Sequence, residues 1–143
     1  MNAGGLLLDT CALIWLLNGD RLTRQAERAV AEAAAREAVL LSPISAWEIA
    51  LLSRPGQAGR APLVFLPDPR AWFEQAALRP GIRIVPLCAN IAVDAALLPE
   101  PFGGDAVDRL LVATARHVGA TLATRDSRIL AYGEAGLVQV LAC

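Results

Sequence analysis

The sequence predicts a three-layer α/β/α sandwich built on a five-stranded, mainly parallel sheet. Three observations point there: five short runs rich in Leu, Ile and Val, helical patterns between them, and Pro, Gly and Asp at the junctions. The runs are Gly5–Leu8, Ala38–Leu41, Ile82–Leu87, Ala120–Thr124 and Leu137–Leu141. They are continuously apolar rather than alternating, as strands covered on both faces are.

Taken in order, the first strand leads into a helix over 11–18, and a helix over 23–36 leads to the second strand. The helix over 44–53 has two starts open to it: the S-x-x-E capping box of Ser45 and Glu48, and Ser42 followed by Pro43. The segment Ser53–Pro69, "SRPGQAGRAPLVFLPDP", is too apolar for a linker and reads as a surface loop or a clip between helices. Asp68 and Pro69 then give an N-cap with proline at the first helical position, opening a helix over 69–79 that Pro80 and Gly81 stop. The third strand precedes a helix over 89–98; a helix over 106–118, ended by Gly119, precedes the fourth; a helix over 127–132 precedes the fifth. Neither repeats nor low-complexity tracts divide the chain, so one domain over residues 1–143 is expected.

Composition narrows the function classes. The hydrophobic fraction of 55% and mean hydropathy of +0.45 are high for a water-soluble chain, which implies that some apolar surface meets a partner. Residues 6–17 do not read as a signal-peptide core: no basic segment precedes them, Asp9 interrupts them and no small-residue cleavage site follows. No run reaches the roughly 18–20 apolar residues of a membrane span. Cys11, Cys88 and Cys143 form no CxxC pair, which excludes a zinc knuckle and fits a reducing compartment; a cytoplasmic protein is expected. The net charge of −1 gives no sign of a nucleic-acid partner. All 13 basic residues are Arg, a bias that a GC-rich genome suffices to explain, and the missing Lys excludes a P-loop and argues against a phospho-accepting receiver domain. His117 falls in the last turn of its helix, where the dipole accounts for it, and no Ser-His or Cys-His pairing is evident. Trp15, Trp47 and Trp72 fall in helical stripes and read as core or interface residues rather than base-stacking platforms.

The carboxylates carry the chemistry. Asp9 interrupts "LLLDTCALIWLL" just after the first strand, and Asp126 stands two residues past the fourth. Ligands bind beyond the carboxyl ends of a parallel sheet where the strand order reverses, so the two acids share a crevice if strands one and four are neighbours. In "SPISAWEIALLS", Glu48 is set among Ile44, Trp47, Leu51 and Leu52 on one helical face, although a capping role would also explain it. In "FGGDAVDRLLVATARHVG", Asp105 is a natural N-cap and Asp108 heads the stripe of Leu111, Val112 and Ala115. Asp105 is open to reading as cap, support or additional ligand. Like charges ~4 Å apart repel by about 4 kcal/mol at an effective dielectric near 20, so such a cluster needs raised pKa values or a cation. Hard oxygen donors without His or Cys favour Mg²⁺ or Mn²⁺, the ions of nuclease and phosphatase chemistry.

With these residues in place, the chain resembles the PIN-domain ribonucleases and, within them, the VapC-type toxins of toxin–antitoxin pairs. Four segments in order carry the resemblance: "LLLDTCALIWLL", "SAWEIA", "DAVDRLLVATA" and "LATRDSRILAYG". It implies an endoribonuclease dependent on Mg²⁺ or Mn²⁺, with an acidic pocket of Asp9, Glu48, Asp108 and Asp126 supported by Thr10, Ser45 and Thr124. Asp9 and Asp108 would bind metal directly, Asp126 directly or through water, and Glu48 would bind metal or orient the attacking water. It also implies a homodimer, inhibited by a small cognate antitoxin that inserts a segment into the cleft. Two departures stand out: "DAVDR" replaces the frequent "DPFDR", and Leu52 stands where many relatives carry Lys, leaving Arg54, with Arg125, as candidates for RNA contact. The alternatives are a metal-dependent DNA nuclease or phosphatase and a catalytically inactive PIN-like binding module; the absence of a DxDxT motif argues against the phosphatase, and retention of all four acids against the inactive module.

Overall fold

A computed structural model describes residues 4–56 and 59–143. The chain runs β1 (Leu6–Leu8), α1 (Thr10–Asn18), α2 (Arg24–Ala35), β2 (Val39–Leu41), α3 (Pro43–Leu52), α4 (Pro69–Ala77), β3 (Ile82–Ile84), α5 (Ala89–Ala96), α6 (Ala106–Val118), β4 (Thr121–Thr124), α7 (Ser127–Glu134) and β5 (Gln139–Ala142). The five strands form one sheet in the order β3-β2-β1-β4-β5, and every pair in it is parallel.

Successive side chains of a strand point to opposite faces, and β1 divides its leucines accordingly. Leu6 and Leu8 enter a core with Leu13 of α1, Ala26 and Ala33 of α2, Ile49 of α3 and Phe73 of α4. Leu7 enters the opposite core with Ile91 of α5, Leu111 and Val112 of α6, and Ile129 and Tyr132 of α7. Two helical layers therefore enclose the sheet; β1 and β2 are apolar throughout because both faces are covered, while β4 carries Thr121 and Thr124 at its ends.

The edge strands depart from the expected continuous burial. β3 and β5 are only half-covered, and both are shorter than their apolar runs. Pairing beyond β3 ends with the bond from Val85 N–H to the Leu41 carbonyl, because the next donor in the parallel ladder would be residue 43, and Pro43 has no N–H. Leu137 is drawn out of β5 by the turn that leaves α7, where its N–H bonds to the Tyr132 carbonyl. Most helix ends follow their signals: Asp68 accepts from Ala71 N–H at 2.8 Å, and Gly119 closes α6 at φ 69°. α4 ends at Ala77, ahead of the Pro80–Gly81 stop. In the Ser53–Pro69 segment, Gln57 and Ala58 lie outside the described residues; Phe65 is buried with its ring edge-on to Trp72 at 5.1 Å, so this part clips onto α4. No helix among the described residues is long and apolar enough to cross a membrane.

Candidate active site

From β1 the sheet grows one way through β2 and β3, then the chain returns to place β4 on the other side of β1. That reversal opens a crevice at the carboxyl ends of β1 and β4. A cleft of about 270 Å³ lies there, its wall including Asp9, Glu48, Asp105, Asp108 and Asp126 together with Cys11, Trp15, Arg125 and Arg128. A larger hollow of about 480 Å³ beside α2 holds one carboxylate, Glu32.

Asp9 is held from both sides. It caps α1, its Oδ1 accepting from Ala12 N–H at 2.7 Å, and its own N–H donates to the Ala123 carbonyl at 3.2 Å. The residue is 9% exposed, and burial raises its carboxyl above the usual carboxylate range, helped by the charges of Glu48 and Asp126 and opposed by hydrogen bonds from Thr124 and Ala12. Thr124 is fully buried and serves two acids at once: it bonds to the Asp9 carboxylate, and its Oγ1 accepts from Asp126 N–H at 3.0 Å. One hydroxyl thus couples the acid after β1 to the acid after β4.

Glu48 reaches the cleft from α3. Between the two possible starts, the structure selects Ser42, whose Oγ accepts from Ile44 N–H at 3.1 Å. Ser45 is consequently free of capping and accepts from Thr10 Oγ1 at 2.9 Å, a buried bond that pins α3 to α1 beneath the acids. The expected apolar face is corrected here. The buried positions are Ser45 and Ile49, with Leu52 half-buried, while Trp47 and Leu51 are 54% and 38% exposed. Spacing of four and then three residues puts Ser45, Ile49 and Leu52 on the stripe that meets the core, and Glu48 flanks it at the cleft.

Asp105 and Asp108 form a reciprocal capping box at the start of α6: Asp105 Oδ1 accepts from Asp108 N–H at 2.9 Å, and Asp108 Oδ2 accepts from Asp105 N–H at 3.1 Å. Asp105 is exposed, and Asp108 turns into the cleft. Burial, followed by the charges of Asp105 and Asp126, pushes the Asp108 carboxyl up to about 6 despite an ion pair with Arg128. Asp126 caps α7, its Oδ1 accepting from Arg128 N–H at 2.8 Å and Ile129 N–H at 3.2 Å. Its carboxyl is held below the usual range, chiefly by the Arg128 side chain. The guanidinium favours Asp126, which takes two of its bonds, over Asp108, which takes one.

Of the wall residues, Arg128 was not singled out in the sequence, Cys11 was read only for its lack of a CxxC partner, and Trp15 was read as a core or interface residue, whereas all three line the cleft. Arg128 had a signal, since it sits two residues after a capping Asp, where its side chain folds back over the cap. Arg125 stacks over Trp15 at 3.8 Å from the ring centroid and donates to the Arg21 and Cys143 carbonyls, both at 3.0 Å. Burial, together with Asp9 and Glu48, pushes the Cys11 thiol up to about 11. Arg54 is exposed and lies outside the cleft wall. No three Asp, Glu, His or Cys groups among the described residues close on one point as a cation cage. The donor set nonetheless suits a hard divalent cation: it is all oxygen; burial, with neighbouring charges adding to it, raises two of its carboxyls; and it already holds a positive group between Asp108 and Asp126.

A parallel α/β sheet with carboxylates gathered at its switch point defines the class: an α/β protein whose ligand cleft is built from acids. Within that class the chain belongs to the PIN domain family, whose profile matches residues 6–135. It is 32% identical over 125 residues to Ribonuclease VapC22 of Mycobacterium tuberculosis, covering 87% of this chain and 88% of that one. Among solved structures it resembles FitAcB of Neisseria gonorrhoeae, at 26% identity and a TM-score of 0.58 over 95% of this chain and 96% of the other. VapBC2 of Rickettsia felis, solved bound to a promoter DNA fragment, shares the fold at 13% identity and a TM-score of 0.64 over 96% and 97%.

Proposed function

We propose that the chain is the toxin of a toxin–antitoxin pair, a single-domain, divalent-metal-dependent endoribonuclease that hydrolyses RNA phosphodiester bonds. One observation carries the reading: acids from segments far apart in sequence, at Asp9, Glu48, Asp108 and Asp126, line one cleft at the sheet's switch point. The similarity to Ribonuclease VapC22 supports RNA as the substrate.

Asp9 and Asp108 hold the metal, Mg²⁺ or Mn²⁺, directly; Asp126 does so directly or through water, and Glu48 binds it or orients the attacking water. When bound, the cation supplies positive charge against the phosphodiester and lowers the pKa of the attacking water. Thr124 keeps Asp9 and Asp126 aligned, and the Thr10–Ser45 bond fixes the helix that carries Glu48. Arg125, held by Trp15 and two backbone oxygens and ion-paired with no Asp or Glu among the described residues, offers its charge to an RNA phosphate.

The protein acts in the cytoplasm as a homodimer and is inhibited by a small antitoxin that enters the cleft. Similarity to proteins solved as VapBC and Fit complexes supports the antitoxin, and exposed Trp47, Leu51, Val64 and Leu66 offer apolar surface for partners. The test incubates the purified protein with single-stranded RNA, DNA of the same sequence and a small phosphate ester, each with Mg²⁺ or EDTA. Cleavage of RNA alone, and only with Mg²⁺, is expected. Turnover of DNA or the ester in preference to RNA, or equal cleavage in EDTA, would overturn the proposal.

A further inference from the structure

Arg128 makes an unusual set of contacts for a surface residue. Its Nη2 lies 2.9 Å from Asp126 Oδ2 and 3.1 Å from Asp108 Oδ2, so one nitrogen sits about 3 Å from two carboxylates. Its Nε donates to Asp126 Oδ1 at 3.3 Å, and its Nη1 to the Gly103 carbonyl at 3.2 Å. The two acids are mostly covered, with side chains 15% and 25% exposed, whereas the arginine is 49% exposed. The stem passes Gly103, where a Cβ would meet Arg128 Cδ at 3.7 Å. A long, unbranched and half-exposed side chain therefore places a positive charge between two acids proposed to bind metal, with open water to retreat into.

We infer that Arg128 is a built-in counter-ion, occupying the cation's place between Asp108 and Asp126 and leaving it when a divalent metal binds. The inference rests on the proposed metal-binding cleft and deepens it. Two like-charged acids need a cation, and a guanidinium can supply the charge but cannot coordinate Asp9 and Glu48 at the same time. Arginine and metal therefore compete for the same oxygens. The other arginine of the wall, Arg125, contacts carbonyls and an indole and competes for none of them. In this role Arg128 is a positioning residue: it keeps the two carboxylates together and charged before metal arrives, and it sets the concentration of metal at which the site fills.

Exposed arginine–carboxylate pairs are weak, so the competition is modest. About fivefold in metal affinity, or about 1 kcal/mol, is expected. The experiment is calorimetric titration of the purified protein with Mn²⁺ alone, without RNA, comparing wild type, Arg128→Ala, Arg125→Ala and Asp9→Asn. Arg128→Ala is expected to bind Mn²⁺ about fivefold more tightly than wild type. Arg125→Ala removes the same charge from the same cleft without freeing an acid of the proposed metal site and is expected to gain less than twofold. A second readout needs no variant: in wild type, the Arg128 Nε–H resonance, resolved by nuclear magnetic resonance, is expected to shift as Mg²⁺ is added. Unchanged or weaker binding by Arg128→Ala, equal gains from the two arginine variants, or a resonance indifferent to Mg²⁺ would overturn the inference while leaving the metal site standing, provided that Asp9→Asn weakens binding. Failure of wild type to bind Mn²⁺, or equal binding by Asp9→Asn, would overturn the metal-binding cleft and this inference together.

Discussion

Replacing Asp9 by asparagine separates what the residue does for the fold from what it does for the site. Asn is as good an N-cap as Asp, so the bond from Ala12 N–H at 2.7 Å survives, and the amide can bond to the Thr124 hydroxyl. What disappears is a charge in a setting that is 9% exposed and close enough to feel Glu48 and Asp126. Relieving that charge while keeping its hydrogen bonds is worth about 1–2 kcal/mol, reduced by the few tenths that a charged cap gains from the helix dipole. Asp9→Asn is therefore expected to be the more stable protein in EDTA near pH 7, with a midpoint higher by about 3–6 °C. The sign with pH follows from the raised carboxyl: folded protein holds that proton more tightly than the unfolded chain, so wild type loses stability as pH climbs through the interval between the ordinary and raised values. The advantage of the variant is full near neutrality and fades toward pH 3. Saturating Mg²⁺ reverses the order, since at about a hundred times its dissociation constant a ligand adds about 2.7 kcal/mol to whichever protein binds it. Thermal and urea unfolding followed by circular dichroism, in EDTA and in Mg²⁺, measure the midpoint and the free energy. A variant less stable than wild type in EDTA at neutral pH would refute the reasoning, because the fold alone would then account for the carboxylate.

Protonation of Asp108, raised to about 6, competes with metal, so Mn²⁺ affinity is expected to fall about tenfold from pH 7 to pH 5, and the step is expected to shrink in Asp108→Asn; titrations that are flat over this range in wild type would contradict it. Thr10→Val leaves Ser45 without its buried partner and is expected to cost about 1–3 kcal/mol in urea unfolding, while Thr10→Val combined with Ser45→Ala costs less than the two single changes added together. Gly5 has φ 97°, and a Cβ there would stand 2.6 Å from the Ala38 carbonyl oxygen, so Gly5→Ala is expected to lose at least about 2 kcal/mol; a change below about 0.5 kcal/mol would contradict that.

Much of this was legible in the chain because local chemistry specifies it. Strands β1 and β2 announce themselves as unbroken apolar runs, and Asp68, Asp105 and Gly119 mark helix ends that the structure keeps. Features decided by long-range packing were not. Nothing local places β4 beside β1, and on that neighbourhood the meeting of Asp9 and Asp126 depends. The face of α3 was misread because Trp47 and Leu51 are apolar enough to suggest burial, yet the core takes Ser45, whose hydroxyl is satisfied by a residue 35 positions away. Arg128 went unnoticed for a related reason: its partner Asp108 lies 20 positions back in the chain, and no periodicity records such a pairing. The edge strands looked buried in sequence because composition does not reveal which strands lie outermost.

The most direct test of a single acidic site is the rate of RNA cleavage in Mg²⁺ by Asp9→Asn, Asp126→Asn and the double variant, each shown by circular dichroism to be folded. If the acids act as one unit, each single change is expected to cost about 100-fold or more, and the double variant should be little worse than either. Losses that multiply, or a single variant that cleaves at the wild-type rate, would contradict the account.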